Sequence, residues 1–388
     1  MPYYHRLGDI PHKRHTVFSK KDGGLYYERL MGNLGFTGLE SLLYHVRRPT
    51  SLLRAELLHD LRWEADPDPT LRMRHLWAHR LPAPGPSPVL DRVPLLYNHD
   101  VAISLARPSS GDDFFFRNSD GDEIVFVTEG AGVLESELGE LPFRRGDYLV
   151  IPRGILHRYR LSQASQILFV IESAGYVRTP QRYRSAHGQL LQHSPYSERD
   201  IRPPESLPVH EEAGEFRIVV KKRQALHEMI LDHHPFDVVG WDGCYYPWAL
   251  SIDDFEPITG RVHQPPPVHQ TFEGDGFVVC SFVPRLFDYH PQSIPAPYAH
   301  SNVAADEVIY YCNDEFMSRK GIEYGSITLH PDGLPHGPQP GKTEESIGKK
   351  ETHELAVMLD TYAPLAVSRA ALACEDPTYA RSWLEPVP

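Results

Sequence analysis

The stretch Gly325-Ser326-Ile327-Thr328-Leu329-His330-Pro331-Asp332-Gly333-Leu334-Pro335-His336 has a counterpart earlier in the chain, Gly146-Asp147-Tyr148-Leu149-Val150-Ile151-Pro152-Arg153-Gly154-Ile155-Leu156-His157. Both read Gly-x5-Pro-x-Gly-x2-His, 179 residues apart. A strict internal repeat with strand-like residues between the first Gly and the Pro marks a duplicated β-barrel unit. In the second copy Ser326, Thr328 and His330 alternate along one strand, and the Pro331-Asp332-Gly333 turn starts the return that brings His336 inward.

Upstream of the second copy the chain reads His300-Ser301-Asn302-Val303-Ala304-Ala305-Asp306-Glu307, then Val308-Ile309-Tyr310-Tyr311. His300 and Asn302 share one side of a strand, whereas an uninterrupted strand would turn Glu307 to the other. A turn or bulge at residues 303–306 therefore intervenes, after which Glu307, Ile309 and Tyr311 face inward. His300, Glu307 and His336 can then converge. Two neutral imidazoles and one carboxylate leave half an octahedron open, the arrangement of non-haem Fe(II) oxygenases, although zinc accepts the same set. Upstream of the first copy the region reads Asn118-Ser119-Asp120-Gly121-Asp122-Glu123. There the first histidine is missing, with Asn118 read near its place, so one metal per chain is expected, in the second half only.

At 388 residues the chain suggests two or three domains. Hydrophobic content of 41% and charged content of 23% are those of a folded soluble protein. A formal net charge of −13 argues against nucleic acid or an anionic membrane as partner. The first residues, Met1-Pro2-Tyr3-Tyr4-His5-Arg6, lack the apolar core of a leader, and no apolar run approaches a membrane span, so a cytoplasmic protein is expected. The four cysteines, Cys244, Cys280, Cys312 and Cys374, stand singly and read as reduced structural thiols.

The pattern gives a mainly β fold with two small antiparallel barrels. Residues 1–183 form an N-terminal arm and the degenerate barrel, with dense strand patterns from Asp112 to Ser173. The charged stretch 184–235 is the connection, and 236–388 hold the metal-binding barrel. Residues 365–373 (LAVSRAALA) are good helix formers and predict a short C-terminal helix.

Other histidines lie near this constellation. His330 stands six residues before His336 and either contacts dioxygen or substrate or orients a ligand. The segment Arg261-Val262-His263-Gln264-Pro265-Pro266-Pro267-Val268-His269-Gln270 places His263 and His269 around a stiff proline run. Loop polarity explains either, but a hydroxylated aromatic substrate needs a base near its phenol, and a neutral imidazole suits that work.

Five segments, residues 25–32 (LYYERLMG), 236–243 (FDVVGWDG), 260–272 (GRVHQPPPVHQTF), 297–311 (PYAHSNVAADEVIYY) and 325–338 (GSITLHPDGLPHGP), carry a resemblance to the homogentisate 1,2-dioxygenases, in a compact bacterial-type version of that bicupin family. The resemblance implies a jelly-roll bicupin fold with a degenerate N-terminal cupin. It implies Fe(II) on His300, Glu307 and His336, with His263 as the acid/base histidine and His330 as an auxiliary pocket histidine. It further implies ring cleavage of homogentisate by O2 to maleylacetoacetate, in tyrosine and phenylalanine catabolism, by a homo-oligomer, a trimer or a dimer of trimers. Two departures stand out. Glu307 follows His300 by seven residues where better-known members have six, and Phe316 stands where the family has a substrate-binding tyrosine. Tyr310, Tyr311 and Tyr324 are the candidates to replace that hydroxyl. The competing readings are a dioxygenase for gentisate or a related hydroquinone, and a metal-binding cupin isomerase or sugar-binding bicupin.

Overall fold

The computed structural model describes residues 3–384, so Met1 and Pro2, the start of the stretch read for a leader, lie outside the described residues. The chain is mainly β, with 41% of residues in strands and 7% in helices. The expected barrels take the form of open, largely antiparallel sheets of eight, seven, six and four strands. No described helix is long and apolar enough to cross a membrane.

Continuous apolar runs make the centre of the eight-stranded sheet. Asp122–Glu129 pairs with Asp147–Ile151 on one side and Ile167–Ser173 on the other, and Ile124, Val125, Val127 and Leu168 are fully buried. Each such side chain contributes about 1.5–3 kcal/mol relative to exposure. The core continues into the second half, where the ring of Phe169 stacks on Tyr310 at 4.3 Å and 2°. The Tyr310 hydroxyl donates to Thr128 Oγ1 at 3.0 Å. One hydrophobic cluster thus spans both halves.

The six-stranded sheet carries the C-terminal repeat, in the order Gln270–Gly274, Phe277–Phe282, Ala356–Thr361, Asp306–Tyr311, Ile327–His330 and Arg74–Leu76. Its last strand comes from the N-terminal arm, so the arm completes the second half as well as wrapping the first. Exchange also runs the other way. Trp248–Ser251 pairs with Asp147–Ile151, and Ala366–Val367 pairs with Val93–Tyr97, both within the eight-stranded sheet.

Two expectations are corrected. The stretch 184–235 is more than a connection, because Ala213–Lys222 and Ala225–His233 form a hairpin inside the seven-stranded sheet. Ile218, Val219, Val220 and Lys221 are buried in succession, with Lys221 paired to Glu172, while Glu215 and Lys222 near the strand ends stay exposed. The C-terminal helix is absent. Residues 366–367 join a sheet, Ser368 N donates to Leu95 O at 2.8 Å, and Ala371–Cys374 is a single 3-10 turn. Sheet hydrogen bonds and burial of Val367 and Ala371 outweigh the weak preference of a short isolated helix. Among the described residues the one α-helix is Lys342–Ser346.

Candidate metal centre

Three local devices bring the ligand candidates together. His300 and His336 face each other in a two-residue bridge, each backbone N–H donating to the other's carbonyl at 2.8 Å. Residues 301–305 leave the strand, as the spacing requires, and Asp306–Tyr311 resumes with Glu307 turned to the same point. The Pro331-Asp332-Gly333 turn closes the hairpin with Gly333 at φ 74°, a left-handed conformation that glycine adopts without strain. Gly333 N donates to Asn302 O at 2.7 Å, and Asp332 N to Asp306 Oδ1 at 2.8 Å.

One donor atom from each of His300, Glu307 and His336 lies within 4.8 Å of the others. His300 Nε2 is 3.6 Å from Glu307 Oε2, and His336 Nε2 is 3.6 Å from Glu307 Oε1. The Nδ1 atoms point away, toward Leu334 O at 3.0 Å for His336 and Tyr298 O at 3.5 Å for His300. Such contacts fix the tautomer with the Nε2 lone pair facing inward. His336 Nε2 is buried without a hydrogen-bond partner, an orphaned donor atom that a metal ion would satisfy. The donor set fits a divalent ion.

Glu307 lies between His330 and Asp360 in the ladder, so all three side chains emerge on one face. Burial opposes ionisation of Glu307, but the three imidazoles around it, His330 in a hydrogen bond and His300 and His336 each at 3.6 Å, hold its pKa well below the usual carboxylate range. Contact with Glu307 raises His300. His330 is lowered to about 4 by burial and by the Arg319 guanidinium. A neutral His330 donates Nδ1–H to Glu307 Oε1 at 2.7 Å, since the carboxylate can only accept, and its Nε2 accepts from Tyr379 at 3.1 Å. Asp360 is pushed up to about 7 by burial and by the charge of Glu307.

His300 and Glu307 open onto a cavity of about 380 Å³, lined also by His263, His269, Phe282, Phe316, Arg319 and Asp360, with His336 behind them. Comparison with known proteins places the chain. Over 391 residues it is 44% identical to the protein named "Putative dioxygenase SSO1533" of Saccharolobus solfataricus, covering 99% of both chains. The family described as "Homogentisate 1,2-dioxygenase N-terminal" matches residues 96–252. The chain belongs to the homogentisate 1,2-dioxygenase-like family of dioxygenases. A homogentisate 1,2-dioxygenase of Nitrobacter hamburgensis is 28% identical over 300 residues, 72% of this chain and 65% of that one. A cupin 2 conserved barrel domain protein from Leptotrichia buccalis superposes with a TM-score of 0.32 at 11% identity, over 70% of this chain and 88% of that one.

In this dioxygenase-like chain the remaining candidates separate. His263 is half-exposed on the cavity wall, its Nδ1 3.7 Å from Asp288 Oδ2. His269 also lines the cavity, but is buried against Phe282 and lowered to about 3 by burial and Arg285. Phe316 lines it with its ring edge-on to Phe282 and Tyr311. The tyrosines do not supply the missing hydroxyl. Tyr311 is committed to Thr328 at 2.9 Å, Tyr324 to Glu129 at 2.8 Å, and Tyr310 to Thr128. His330 lies behind the ligands, stacked on His336 at 4.7 Å, outside the cavity lining. Sequence reasoning missed Arg319, Asp360, Tyr379 and Trp383. Asp360 carried a signal, a lone acid in the apolar strand AVMLDT, whereas the others come from segments without periodicity.

The first repeat holds a closed version of the same site. His157 faces Phe116 in the ladder, as His336 faces His300, and Phe116 precedes Glu123 by seven residues, as His300 precedes Glu307. The residue in place of the first histidine is therefore Phe116 and not Asn118. Asn118 corresponds to Asn302, and its carbonyl accepts Gly154 N at 2.7 Å, just as Asn302 accepts Gly333 N. The Arg92 guanidinium grips Glu123 through both nitrogens at 2.8 and 2.9 Å.

Proposed function

We propose that this protein is an Fe(II)-dependent ring-cleaving dioxygenase that converts homogentisate and O2 to maleylacetoacetate. The observation that carries the reading is the convergence of His300, Glu307 and His336, two of which open onto a cavity walled in part by Phe282, Ile309, Phe316 and Met358. His300, Glu307 and His336 would hold the ion, which when bound supplies a Lewis acid and the electrons that let O2 react beside the substrate's phenolate.

The protein's own groups do the rest. His263 takes the phenol proton, and Asp288 steadies the imidazolium that results. That carboxylate is held by Gly260 N at 3.0 Å and Gln264 N at 2.9 Å, so its position is set by backbone. Phe282, Ile309, Phe316 and Met358 exclude water around the ring. His330 and Tyr379 fix Glu307 from behind.

Phe316 favours weighing a second reading within the same class, a dioxygenase for gentisate or hydroquinone, because it carries no hydroxyl at the position where the resemblance implies a substrate-binding tyrosine. One assay separates these readings from each other and from a non-oxidising cupin. After anaerobic Fe(II) loading, O2 uptake is measured with homogentisate, gentisate and hydroquinone side by side. Fastest uptake with homogentisate is expected. Fastest uptake with another ring moves the substrate, and no uptake with any of them overturns the dioxygenase reading.

A further inference from the structure

Two arginines line the cavity, and they differ in what holds their charge. Arg285 is paired with Glu354 at 2.8 Å. Arg319 is 7% exposed, and its nearest carboxylate oxygen, Glu307 Oε1, lies 4.0 Å from Nη2, beyond hydrogen-bond distance. Its Nη1 donates to Gly337 O at 2.6 Å and to Ser318, which anchors one corner of the fork. Its Nε is buried with no hydrogen-bond partner among the described residues. The ring of Trp383 covers the guanidinium at 5.6 Å.

Buried charges are ordinarily matched by an ion partner, because taking one out of water alone costs several kcal/mol. Glu307 makes no hydrogen bond to Arg319, and its carboxylate is the one that would face the metal ion. Among the described residues the cavity is left with a fixed cation beside the proposed metal centre and no anion hydrogen-bonded to it. The guanidinium fork is suited to a carboxylate, which it can hold through two parallel hydrogen bonds.

We infer that Arg319 is the anchor for a carboxylate on the substrate, and that the cavity selects aromatic acids over their uncharged analogues. This rests on the cavity being the substrate site of a ring-cleaving dioxygenase and adds the group that fixes the ring's orientation. Arg319 is thereby a specificity-determining residue on the segment that follows Phe316, where the family's tyrosine is absent.

The test is binding, measured anaerobically by calorimetry on the metal-loaded full chain, with two acid–amide pairs: homogentisate and 2,5-dihydroxyphenylacetamide, gentisate and gentisamide. The wild-type protein is expected to bind one of the acids at least about tenfold more tightly than its amide, the scale of a charge-assisted hydrogen bond. Arg319→Met should remove that preference, leaving the amide affinity and the metal content unchanged. Arg319→Lys should retain part of it. Acid and amide binding within twofold in the wild type overturns the proposal, and so does an acid preference that survives Arg319→Met in a metal-replete protein. Should Arg319→Met lose metal or fold, the wild-type pairs and Arg319→Lys still decide. An Arg319-dependent preference confined to the gentisate pair upholds the anchor and removes homogentisate as the substrate.

Discussion

The two repeats bury the same carboxylate at the same ladder position and balance it in opposite ways. Glu307 sits between His330 and Asp360 and faces His300 and His336, whereas Glu123 sits between Ile151 and Glu172 and faces Phe116 and His157. In the first repeat a guanidinium occupies the carboxylate, and Arg92 brings Glu123 down to about 2 against the effect of burial. Both triad histidines direct Nδ1 at a carbonyl two residues back, and both leave Nε2 buried without a partner. The difference teaches that losing a metal site takes more than losing a ligand. The charge left behind must be matched, and a fixed cation does so where an ion no longer can.

The largest effect expected of this contrast is on metal retention. His336→Ala should reduce tightly bound metal to near zero in a protein that still folds, and turnover should vanish with it. His157→Ala, at the equivalent place in the first repeat, should leave metal content unchanged. Elemental analysis beside circular dichroism checks both, and equal metal loss in the two variants would break the comparison.

A second effect separates holding the metal from moving the proton. His263→Gln should keep the metal and lower turnover by roughly 10²- to 10⁴-fold, the scale of a lost general base. His269→Gln should matter less, because a buried histidine lowered to about 3 is no base at neutral pH. Metal loss in His263→Gln, with unchanged turnover per remaining ion, would place His263 among the ligands.

Stability tests the first repeat. Arg92→Met leaves Glu123 buried and unpaired, which should cost about 3–5 kcal/mol in urea unfolding without changing metal content. The pH dependence has a definite sign. Since its folded pKa is depressed from 4.5 to about 2, Glu123 contributes stability that is present above pH 4.5 and lost as pH falls through about 2. The gap between the wild type and Arg92→Met should therefore narrow as the pH falls across that window. A gap independent of pH would mean that Arg92 acts by packing alone.

The smallest effect concerns Phe316. Phe316→Tyr should lower the homogentisate KM by up to about tenfold, roughly 1.4 kcal/mol, by restoring a hydroxyl on the cavity wall. An unchanged KM would mean that position 316 touches no polar group of the substrate.

Much of the second site was legible because its ligands lie within one repeat. The His300–Glu307 spacing demanded a break in the strand, and the Pro331-Asp332-Gly333 turn fixed the return of His336. The first site was misread by two positions. Phe116 and Asn118 lie two residues apart on one strand and share a face, so alternation does not separate them. Counting seven residues back from Glu123 reaches Phe116 directly. Arg92 and Arg319 left no trace in the pattern, because Arg92 arrives from a segment before the first repeat and Arg319 from the irregular loop between the two strands of the second, so each is placed only by the tertiary fold. The C-terminal helix failed for a related reason, since residues 366–368 find partners in residues 95–97, far earlier in the chain, that propensity cannot anticipate.

The most direct test is the stoichiometry of tightly bound metal after anaerobic loading of the wild-type chain with Fe(II), followed by desalting and elemental analysis. The account predicts one ion per chain, removed by Glu307→Gln and untouched by Glu123→Gln. Two ions per chain, or one that survives Glu307→Gln, would contradict it.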